Sequence, residues 1–550
     1  MIGRSTGLII ANTLIGAVLG LAALKLFAVY TDASADGLLG QLAFAMGLAG
    51  LLTMLLDMGL GSAHTRRVSE GRDLGTAVAT YARAKAGLAV LFLAVVAAGA
   101  FVGAGLGILQ DTPRVAILLV GVYFAFMGLR TIFTATFDGR QEFAKSQMTV
   151  LAENVTRVAL MIGVGLLFGG AVYGKGPLAA WMQGSGQALG ELVSHHGAEA
   201  LAACYAVAGL ASFAVGYALF RRGYPVGKAD NAVLRAYWSF GRHVFLMAIV
   251  GSVLISFDRV VITAFWDPKH TGQYYGAQRF SDLISMVPAA VYTVLFPALS
   301  AHYARGNRDE TRAAIASAVR HVSLIVVPLV VFAIALAGPL LSVVLTGQFT
   351  AATTLRVLAI YALLYAISYP YAAVLQALGR PDLPARAAVA ATAINAVLNL
   401  ALVPPAGALL GLPTAGWAET GAAVATAFAA GAQFLILRRA VNKLEGAVPL
   451  GHLAKHLVAG AAAGAVLLAL APPPNDAPWY LMLVLLGVGG AIYLAVLVLL
   501  REFTRHDLDL YMHLLDPAAM ARHVSEEVQS HGPEGPRGQP PAGPPPKPGP

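Results

Sequence analysis

The chain has 550 residues, of which 58% are hydrophobic and 12% are charged, and its formal net charge is +9. A soluble globular protein carries about a quarter charged residues, so this composition excludes a fold that water wets on all sides. The basic residues are scattered over the loops between apolar runs, which is typical of membrane orientation and indicates no nucleic-acid partner. The single cysteine, Cys204, excludes an intrachain disulfide.

Apolar runs long enough to cross a bilayer, which takes about twenty helical residues, recur along most of the chain. The first run is interpreted as a retained helix rather than a cleaved signal, because many similar runs follow it. We therefore predict an all-α polytopic membrane protein with about fourteen transmembrane helices. The predicted spans are 7–30, 38–60, 77–107, 114–136, 147–170, 201–220, 243–264, 280–301, 313–345, 352–377, 386–403, 415–437, 453–471 and 479–500.

Lysines and arginines concentrate in every second loop. One set of loops holds nineteen of them, and the other set holds little beyond Arg114, Lys175 and Lys269. Because cytoplasmic loops carry the excess of positive charge, we predict a multi-pass protein of the cytoplasmic (inner) membrane with both termini in the cytoplasm. The end of the chain, from about residue 531, is rich in proline and is predicted to be disordered.

Short motifs repeat in the same order at an offset of about 234–240 residues. The string SAHTRR at 62–67 matches SAHYAR at 300–305, and DGR at 138–140 matches LGR at 378–380. An offset of six spans gives both repeats one orientation, related by a pseudo-two-fold axis along the membrane normal around a central cavity. The predicted parts are an N-terminal six-helix lobe at 1–222, a C-terminal six-helix lobe at 223–440, an additional two-helix segment at 441–505 and a cytoplasmic tail at 506–550.

Ionisable side chains inside the predicted spans are the main candidates for function, because each costs about 2.5–3.5 kcal/mol to insert. Cations predominate among them, so we predict a cationic cavity for an anionic cargo, particularly one with phosphate or pyrophosphate. The candidate substrate-binding residues are Lys25, Arg130, Arg157, Arg259 and Arg279. The candidate ion-coupling residues are Asp258 and Glu153.

Simpler interpretations of these charges stay open. Glu153 and Arg157 are four residues apart on one helical face, where they can neutralise each other. Lys25 and Arg130 are close enough to a membrane surface to snorkel towards it. Arg279 opens the predicted eighth span, so it can snorkel outwards in the same way.

Asp258 and Arg259 are adjacent, and about 100° separates their directions on a helix. One of them can therefore face the cavity while the other pairs elsewhere. Asp258 is open to three interpretations, as a proton site, as a sodium site or as the counter-ion of Lys25.

Patterns for catalysis are not apparent in the sequence. The glycine-rich stretch 169–176 lacks the Ser or Thr that would follow the lysine of a phosphate-binding loop, and no His and Cys set has metal-ligand spacing. The loops are too short to form a soluble catalytic domain. We predict no enzyme activity, no catalytic residue, no metal and no cofactor.

Five short strings resemble, in family order, the multidrug/oligosaccharidyl-lipid/polysaccharide (MOP) exporter superfamily, and within it the O-antigen and polysaccharide flippases. They are SFDRVVI at 256–262, GQYYGAQR at 272–279, FPALS at 296–300, GQF at 347–349 and QALGRP at 376–381. The resemblance implies that two lobes alternate between inward-open and outward-open states, with a proton or sodium gradient as the driver. The implied cargo is a polyprenyl-pyrophosphate-linked oligosaccharide for surface polysaccharide biosynthesis, such as that of the O-antigen of lipopolysaccharide.

The resemblance also implies residues and partners. In related lipid II flippases, basic residues of the first and eighth helices face the cavity, and Lys25 and Arg279 hold those places here. We place the cytoplasmic entrance at Arg66, Arg67, Arg140, Arg305 and Arg380. The expected partners are the lipid-linked oligosaccharide and membrane lipid, with a polysaccharide polymerase and glycosyltransferases as further candidates.

Two alternatives within the superfamily stay open. A lipid II flippase would use the same physics with a different sugar. A cation-coupled multidrug exporter would favour a buried carboxylate in the first helix, and none lies within 7–30.

Overall fold

The computed structural model describes residues 35–502 with gaps, the widest at 289–307 and 346–350, together with 19–27 and four isolated positions between 12 and 29. In this part of the chain the regular elements are all helices, which confirms the predicted all-α class. Ten of the described helices are long and apolar enough to cross a membrane, and a bent pair brings the number to eleven. The count of about fourteen stays a prediction. Parts of the predicted spans at 7–30 and 280–301 lie outside the described residues.

The helices up to residue 222 are α1 (Ala35–Leu51), α2 (Met54–Asp57), α3 (Leu60–Ser69), α4 (Leu74–Gly105), α5 (Arg114–Gly139), α6 (Phe143–Tyr173), α7 (Ala179–Gln183), α8 (Gln187–His195) and α9 (Gly197–Phe220). The helices that follow are α10 (Asn231–Phe265), α11 (Pro268–Ser285), α12 (Arg308–Ala335), α13 (Ala337–Leu345), α14 (Ala352–Ala377), α15 (Asp382–Leu402), α16 (Ala418–Glu445), α17 (Gly451–Leu470) and α18 (Trp479–Leu499).

Helix α4 illustrates how these apolar sequences form membrane helices. Val90, Phe101 and Val102 are exposed on its outer face, while Phe92 and Val96 are buried in the protein core. A helix that is apolar on all sides suits a bilayer, because lipid covers one face and neighbouring helices cover the other.

The predicted second span is one bent unit rather than a straight helix. Its two parts, Gly37–Leu51 and Met54–Ser69, are inclined by 43° at the break. The chain leaves the right-handed helical region after this bend, at the junction of α2 and α3, where Met58 and Gly59 have φ angles of 47° and 75°. Lys85 Nζ donates to the Leu56 carbonyl, at 2.8 Å, and to Asp57 Oδ1, at 2.6 Å. A buried lysine from α4 therefore satisfies polar groups at the end of α2, just before this junction.

Helix α11 begins at Pro268, twelve residues before the predicted eighth span. Asp267 caps it, because its side chain accepts a hydrogen bond from the His270 backbone N–H, and Pro268 occupies the first turn. The first part of α11 is polar in sequence, so a search for apolar runs does not find it. Residues 271–277 are nevertheless all buried. The prediction that Arg279 opens this helix is therefore wrong. Arg279 lies three turns inside it.

The predicted ninth span divides into α12 and α13. Pro339 has no backbone N–H to bond the Ala335 carbonyl, and its ring clashes with that carbonyl in a continuous helix. The exposed Arg356 donates through Nε to the neighbouring Ile334 carbonyl, at 3.3 Å. A proline thus breaks the helix, and an arginine binds a carbonyl near the break.

The helices of each predicted lobe pack mainly with one another. In the first lobe α5 packs against α4, α6 and α9, and in the second α16 packs against α14 and α15. Helix α1 crosses between the two sets, because it packs against both α10 and α11. This contact is close enough to require glycine, since a Cβ at Gly40 would lie 1.5 Å from the Pro268 carbonyl oxygen.

The additional helices α17 and α18 are attached to α12 through Glu502. The Glu502 carboxylate lies 2.9 Å from Arg320 Nε of α12, 2.9 Å from Lys455 Nζ and 2.5 Å from His452 Nδ1 of α17. Burial raises the pKa of Glu502, but hydrogen bonds from Lys455, Arg320 and His452 outweigh it and lower the pKa to about 2. The carboxylate is therefore ionised at neutral pH and joins two helices.

Candidate functional site

A cavity of about 250 Å³ lies between the two predicted lobes. It is lined by the described part of the first helical segment, by α6 and α9 of the first lobe and by α11 of the second. Its polar lining residues are Glu153, Asn154, Arg157, Tyr205, Tyr275, Arg279 and Asp282. Three residues that the sequence proposed for function, Glu153, Arg157 and Arg279, are thus brought together at one site.

Arg157 lies on the first-lobe side of the cavity. Its Nε donates to Glu153 Oε1, at 2.9 Å, and its Nη2 donates to Asn154 Oδ1, at 2.7 Å. Its guanidinium also lies 5.4 Å from the centre of the Tyr205 ring. The ion pair that the four-residue spacing predicted is present, and both of its members line the cavity.

Arg279 lies opposite, on α11. It donates through Nη2 to the Tyr275 hydroxyl, and its guanidinium is 4.4 Å from the centre of that ring. Its Nη1 lies 3.6 Å from Asp282 Oδ2. Because Tyr275, Arg279 and Asp282 are spaced by four and three residues, they share one face of the helix.

Arg259 completes this group from α10. Its Nε and Nη2 donate to Gln278 Oε1, at 3.2 and 2.7 Å, and its guanidinium lies 5.2 Å from the centre of the Tyr275 ring. The Tyr275 hydroxyl lies 3.4 Å from the Tyr205 hydroxyl of the first lobe.

We call Arg157, Tyr205, Tyr275, Arg279 and Arg259 the arginine–tyrosine cluster. Among the described residues, two carboxylates lie within 4 Å of its three guanidinium groups: Glu153 pairs with Arg157 and Asp282 with Arg279. The third guanidinium, that of Arg259, lies outside the cavity lining. Guanidinium groups in a partly dry site bind phosphate oxygens with directed, charge-assisted hydrogen bonds. The cluster also spans both predicted lobes, so any ligand held there bridges them.

Asp258 points away from Arg259, into the second lobe. Its carboxylate accepts from Tyr274 Oη at 2.5 Å and from Asn399 Nδ2 at 2.8 Å, and Thr426 Oγ1 lies 2.8 Å from it. Within the described residues, the buried Oδ1 atoms of Asn395 and Asn399 have no hydrogen-bond partner. We call this group, Asp258, Tyr274, Asn395, Asn399 and Thr426, the aspartate pocket. It combines an anionic carboxylate with free amide oxygens, which is a donor set for a hard monovalent cation or a proton.

Lys25 and Arg130 lie outside the cavity lining. Lys25 Nζ donates to the Val343 carbonyl of α13, at 2.6 Å, so it joins the first helical segment to the second lobe. Arg130 lies against α9, where its Nη1 is 3.5 Å from Ser212 Oγ.

Three of the predicted entrance cations are held in local ion pairs. Arg66 pairs with Glu70, Arg140 with Glu142, and Arg380 with Asp382, with N–O distances of 2.9, 3.0 and 3.0 Å. Arg67 also lies on α3, and Arg305 lies outside the described residues.

Several residues of these sites were not predicted from the sequence. Tyr275 and Asp282 share the helical face of Arg279. Tyr275 lies before the predicted span 280–301, and Asp282 lies inside that span but was not among the predicted site residues. Asn395 and Asn399 are four residues apart within an apolar span, and polar residues in such a place are a recognisable signal. Tyr205 gave no signal, because a tyrosine in an apolar helix is ordinarily a packing residue.

The known proteins to which this chain is similar are flippases and transporters, not enzymes. A family model described as polysaccharide biosynthesis protein matches residues 184–354. The chain is 24% identical over 403 residues to the probable low-salt glycan biosynthesis flippase Agl15 of Haloferax volcanii, which covers 72% of this chain and 77% of that protein.

Solved structures give the same picture of the fold. The lipid II flippase MurJ in an inward closed conformation superposes with a TM-score of 0.69 at 15% identity, over 90% of this chain and 98% of MurJ. An outward-facing multidrug resistance MATE transporter of the MOP superfamily superposes with a TM-score of 0.53 at 14% identity, over 81% and 97% of the two chains. The predicted resemblance is thereby confirmed: the chain is a multi-pass membrane protein with the fold of the MOP superfamily and a match to the polysaccharide biosynthesis family.

Proposed function

We propose that the chain is a flippase that moves a polyprenyl-pyrophosphate-linked oligosaccharide across the cytoplasmic membrane for surface polysaccharide biosynthesis. The observation that carries this proposal is the arginine–tyrosine cluster, which places two guanidinium groups, those of Arg157 and Arg279, at a cavity between the two predicted lobes. Arg157 and Arg279 contact the pyrophosphate in this mechanism, and the prenyl chain stays in lipid. No covalent bond is made or broken.

The transport step follows from the position of the cavity. Arg157 belongs to the first predicted lobe and Arg279 to the second, so a pyrophosphate between them stabilises a closed arrangement of the lobes. Rocking of one lobe against the other then exposes the site to one membrane face at a time. Lys25, which donates to the second lobe through Val343, is proposed to secure this closure rather than to contact cargo.

Ion coupling is proposed for the aspartate pocket. Asp258 is buried among neutral hydrogen-bond donors, one of which is the Asn399 side-chain amide. Asn395 and Asn399 are one turn apart on α15, and among the described residues their Oδ1 atoms have no hydrogen-bond partner. A bound sodium ion or proton would neutralise the carboxylate, and its release would leave a buried charge that favours another arrangement of the lobe.

Three further points belong to this proposal. The chain lies in the inner membrane with both termini in the cytoplasm, as the distribution of basic loops predicts. Its two lobes are 1–222 and 223–440, and 441–505 is an addition to them. In this proposal, glycosyltransferases act on the lipid-linked glycan before the flipping step, and a polysaccharide polymerase acts on it afterwards.

A lipid II flippase is the second candidate, supported by the superposition with MurJ. A drug exporter for organic cations is less favoured, because the cluster brings three guanidinium groups to this region, which repel such cargo. Ethidium efflux from vesicles that contain the protein is therefore expected to equal that from empty vesicles.

The proposal is tested with purified protein in liposomes that contain a fluorescent farnesyl-pyrophosphate-linked disaccharide. Flipping is measured as the fraction of label that a membrane-impermeant reductant cannot reach. Each charge-assisted hydrogen bond contributes about 1.5–3 kcal/mol, so Arg279→Gln and Arg157→Gln are each expected to slow flipping at least about tenfold.

Arg386→Gln is the matched control, because Arg386 is exposed and distant from the cavity lining. It should flip the lipid at the wild-type rate. Unchanged flipping by both cavity variants would contradict the proposed cargo site.

A further inference from the structure

Three tyrosines form a strip along one face of α14. Tyr361, Tyr365 and Tyr369 are spaced by four residues, which places them one helical turn apart on the same side. Their ring centres are 6.0 and 6.1 Å apart in succession. All three residues are half-buried, so part of each ring is open to its surroundings.

The strip begins beside the functional site. Ser281, next to the cavity residue Asp282, donates through Oγ to the Leu358 carbonyl of α14, at 3.1 Å, and Leu358 lies one turn before Tyr361. A neighbouring face of α14, about 100° from the strip, is packed into a hydrophobic core through Ala362 and Ala366. The strip therefore starts at the cavity and runs two turns along α14, away from the end of the helix that lies near Ala352.

The hydroxyl groups indicate what the strip faces. Within the described residues, the hydroxyls of Tyr361 and Tyr365 have no hydrogen bond to the protein. Tyr365 lies near the middle of α14, where lipid would leave its hydroxyl without any partner at a cost of several kcal/mol. A polar ligand beside α14 would satisfy these hydroxyls and still allow the half-buried rings to pack on α14.

We propose that this tyrosine strip is a binding track for pyranose rings of the cargo glycan. The inference rests on the proposed function, because it assigns the sugar part of the same ligand whose pyrophosphate the arginines hold. A pyranose ring has an apolar face of C–H groups that packs on an aromatic ring, and its hydroxyls bond the tyrosine hydroxyls. Consecutive rings about 6 Å apart can contact consecutive sugars of a flexible chain.

The track is tested by equilibrium binding of two probes to purified protein. One probe is farnesyl pyrophosphate, and the other is farnesyl pyrophosphate that carries a disaccharide of N-acetylglucosamine. Aromatic stacking predicts that the sugar-bearing probe binds wild-type protein about tenfold more tightly than the bare probe. Tyr365→Leu should reduce this ratio to about twofold.

Tyr365→Phe separates ring stacking from hydroxyl hydrogen bonding, because it keeps the ring and removes only the hydroxyl. It should retain most of the sugar-dependent gain. Tyr480→Leu is the matched control, since Tyr480 is exposed on α18, outside the cavity lining. It should bind both probes as wild type does. None of these variants should change binding of the bare pyrophosphate probe.

The outcomes distinguish failure of the proposed pyrophosphate site from failure of the proposed sugar-binding track. If neither probe binds wild-type protein, the proposed function fails and the track fails with it. If the bare probe binds and the disaccharide adds nothing, or if Tyr365→Leu keeps the full gain, the track is refuted while the pyrophosphate site stands.

Discussion

The close contact between Gly40 of α1 and Pro268 at the start of α11 can be broken by adding one methyl group. A Cβ at position 40 would lie 1.5 Å from the Pro268 carbonyl oxygen and 2.4 Å from its carbonyl carbon. Both neighbours are backbone atoms, so no side-chain rotation can relieve the overlap. Ordinary contact between such atoms begins at 3.4 Å, which means that Gly40→Ala must move α1 and α11 apart by about 2 Å.

Moving α1 and α11 apart destabilises the conformation in which the two predicted lobes contact each other through these helices. Overpacking of this kind costs about 1–3 kcal/mol, and the cost falls only on the conformation in which the helices touch. The population of that conformation relative to an opened one is therefore expected to fall by about 5- to 150-fold. Gly47→Ala, whose Cβ would lie 3.0 Å from Arg259 Cβ, should have a smaller effect in the same direction.

The assay is a distance measurement between spin labels at Arg114 and Lys269, which stand at the starts of α5 and α11, in a Cys204→Ser background. Gly40→Ala should transfer most of the distance distribution to a longer value. Gly37→Ala is the control, because a Cβ at position 37 meets nothing within 4 Å, and it should leave the distribution unchanged. An unaltered distribution in Gly40→Ala would refute the claim that this contact holds the lobes together.

Three other predictions concern polar groups away from the cavity contact. Glu502→Gln should lower the free energy of unfolding in detergent by about 2–4 kcal/mol. Because the pKa of Glu502 is depressed to about 2, its contribution to wild-type stability is present above about pH 4.3 and is lost as pH falls towards 2, which thermal unfolding at a series of pH values would show. Asp258→Asn should abolish the dependence of flipping on a sodium or pH gradient, and flipping that still responds to both gradients would exclude the aspartate pocket. His64→Leu removes buried hydrogen bonds of 2.9 Å to Tyr237 and Thr136 and should destabilise the protein by about 1–3 kcal/mol, whereas Tyr237→Phe should cost less in the same unfolding assay.

The class of fold could be predicted from the sequence because hydropathy is a local property. A run of about twenty apolar residues has one low-energy environment, and its backbone must form a helix there. The predicted spans at 114–136, 352–377 and 479–500 agree closely with α5, α14 and α18 for this reason. The same logic failed for α11, whose first turns are polar yet buried between lobes, so a lipid-based criterion could not detect them.

The candidate site could be predicted only in part. The sequence identified the charged residues of the spans, because any charge in an apolar run is conspicuous and costly. It could not tell that Arg157, Arg259 and Arg279 meet around two tyrosines, while Lys25 and Arg130 lie elsewhere. That difference depends on how each helix is rotated about its axis.

The sequence by itself thus determined that this protein is a helical membrane protein with an excess of cations among its intramembrane charges. The tertiary structure decided which of those cations lie together and that Asp258 lies apart from them, in the aspartate pocket. It also decided that α1 contacts α11 at Gly40. The physical reason is that the free energy of inserting a helix into lipid is a sum of contributions from residues that are neighbours in the sequence. A binding site, in contrast, requires side chains from helices more than a hundred residues apart in the sequence to lie within a few ångströms of one another.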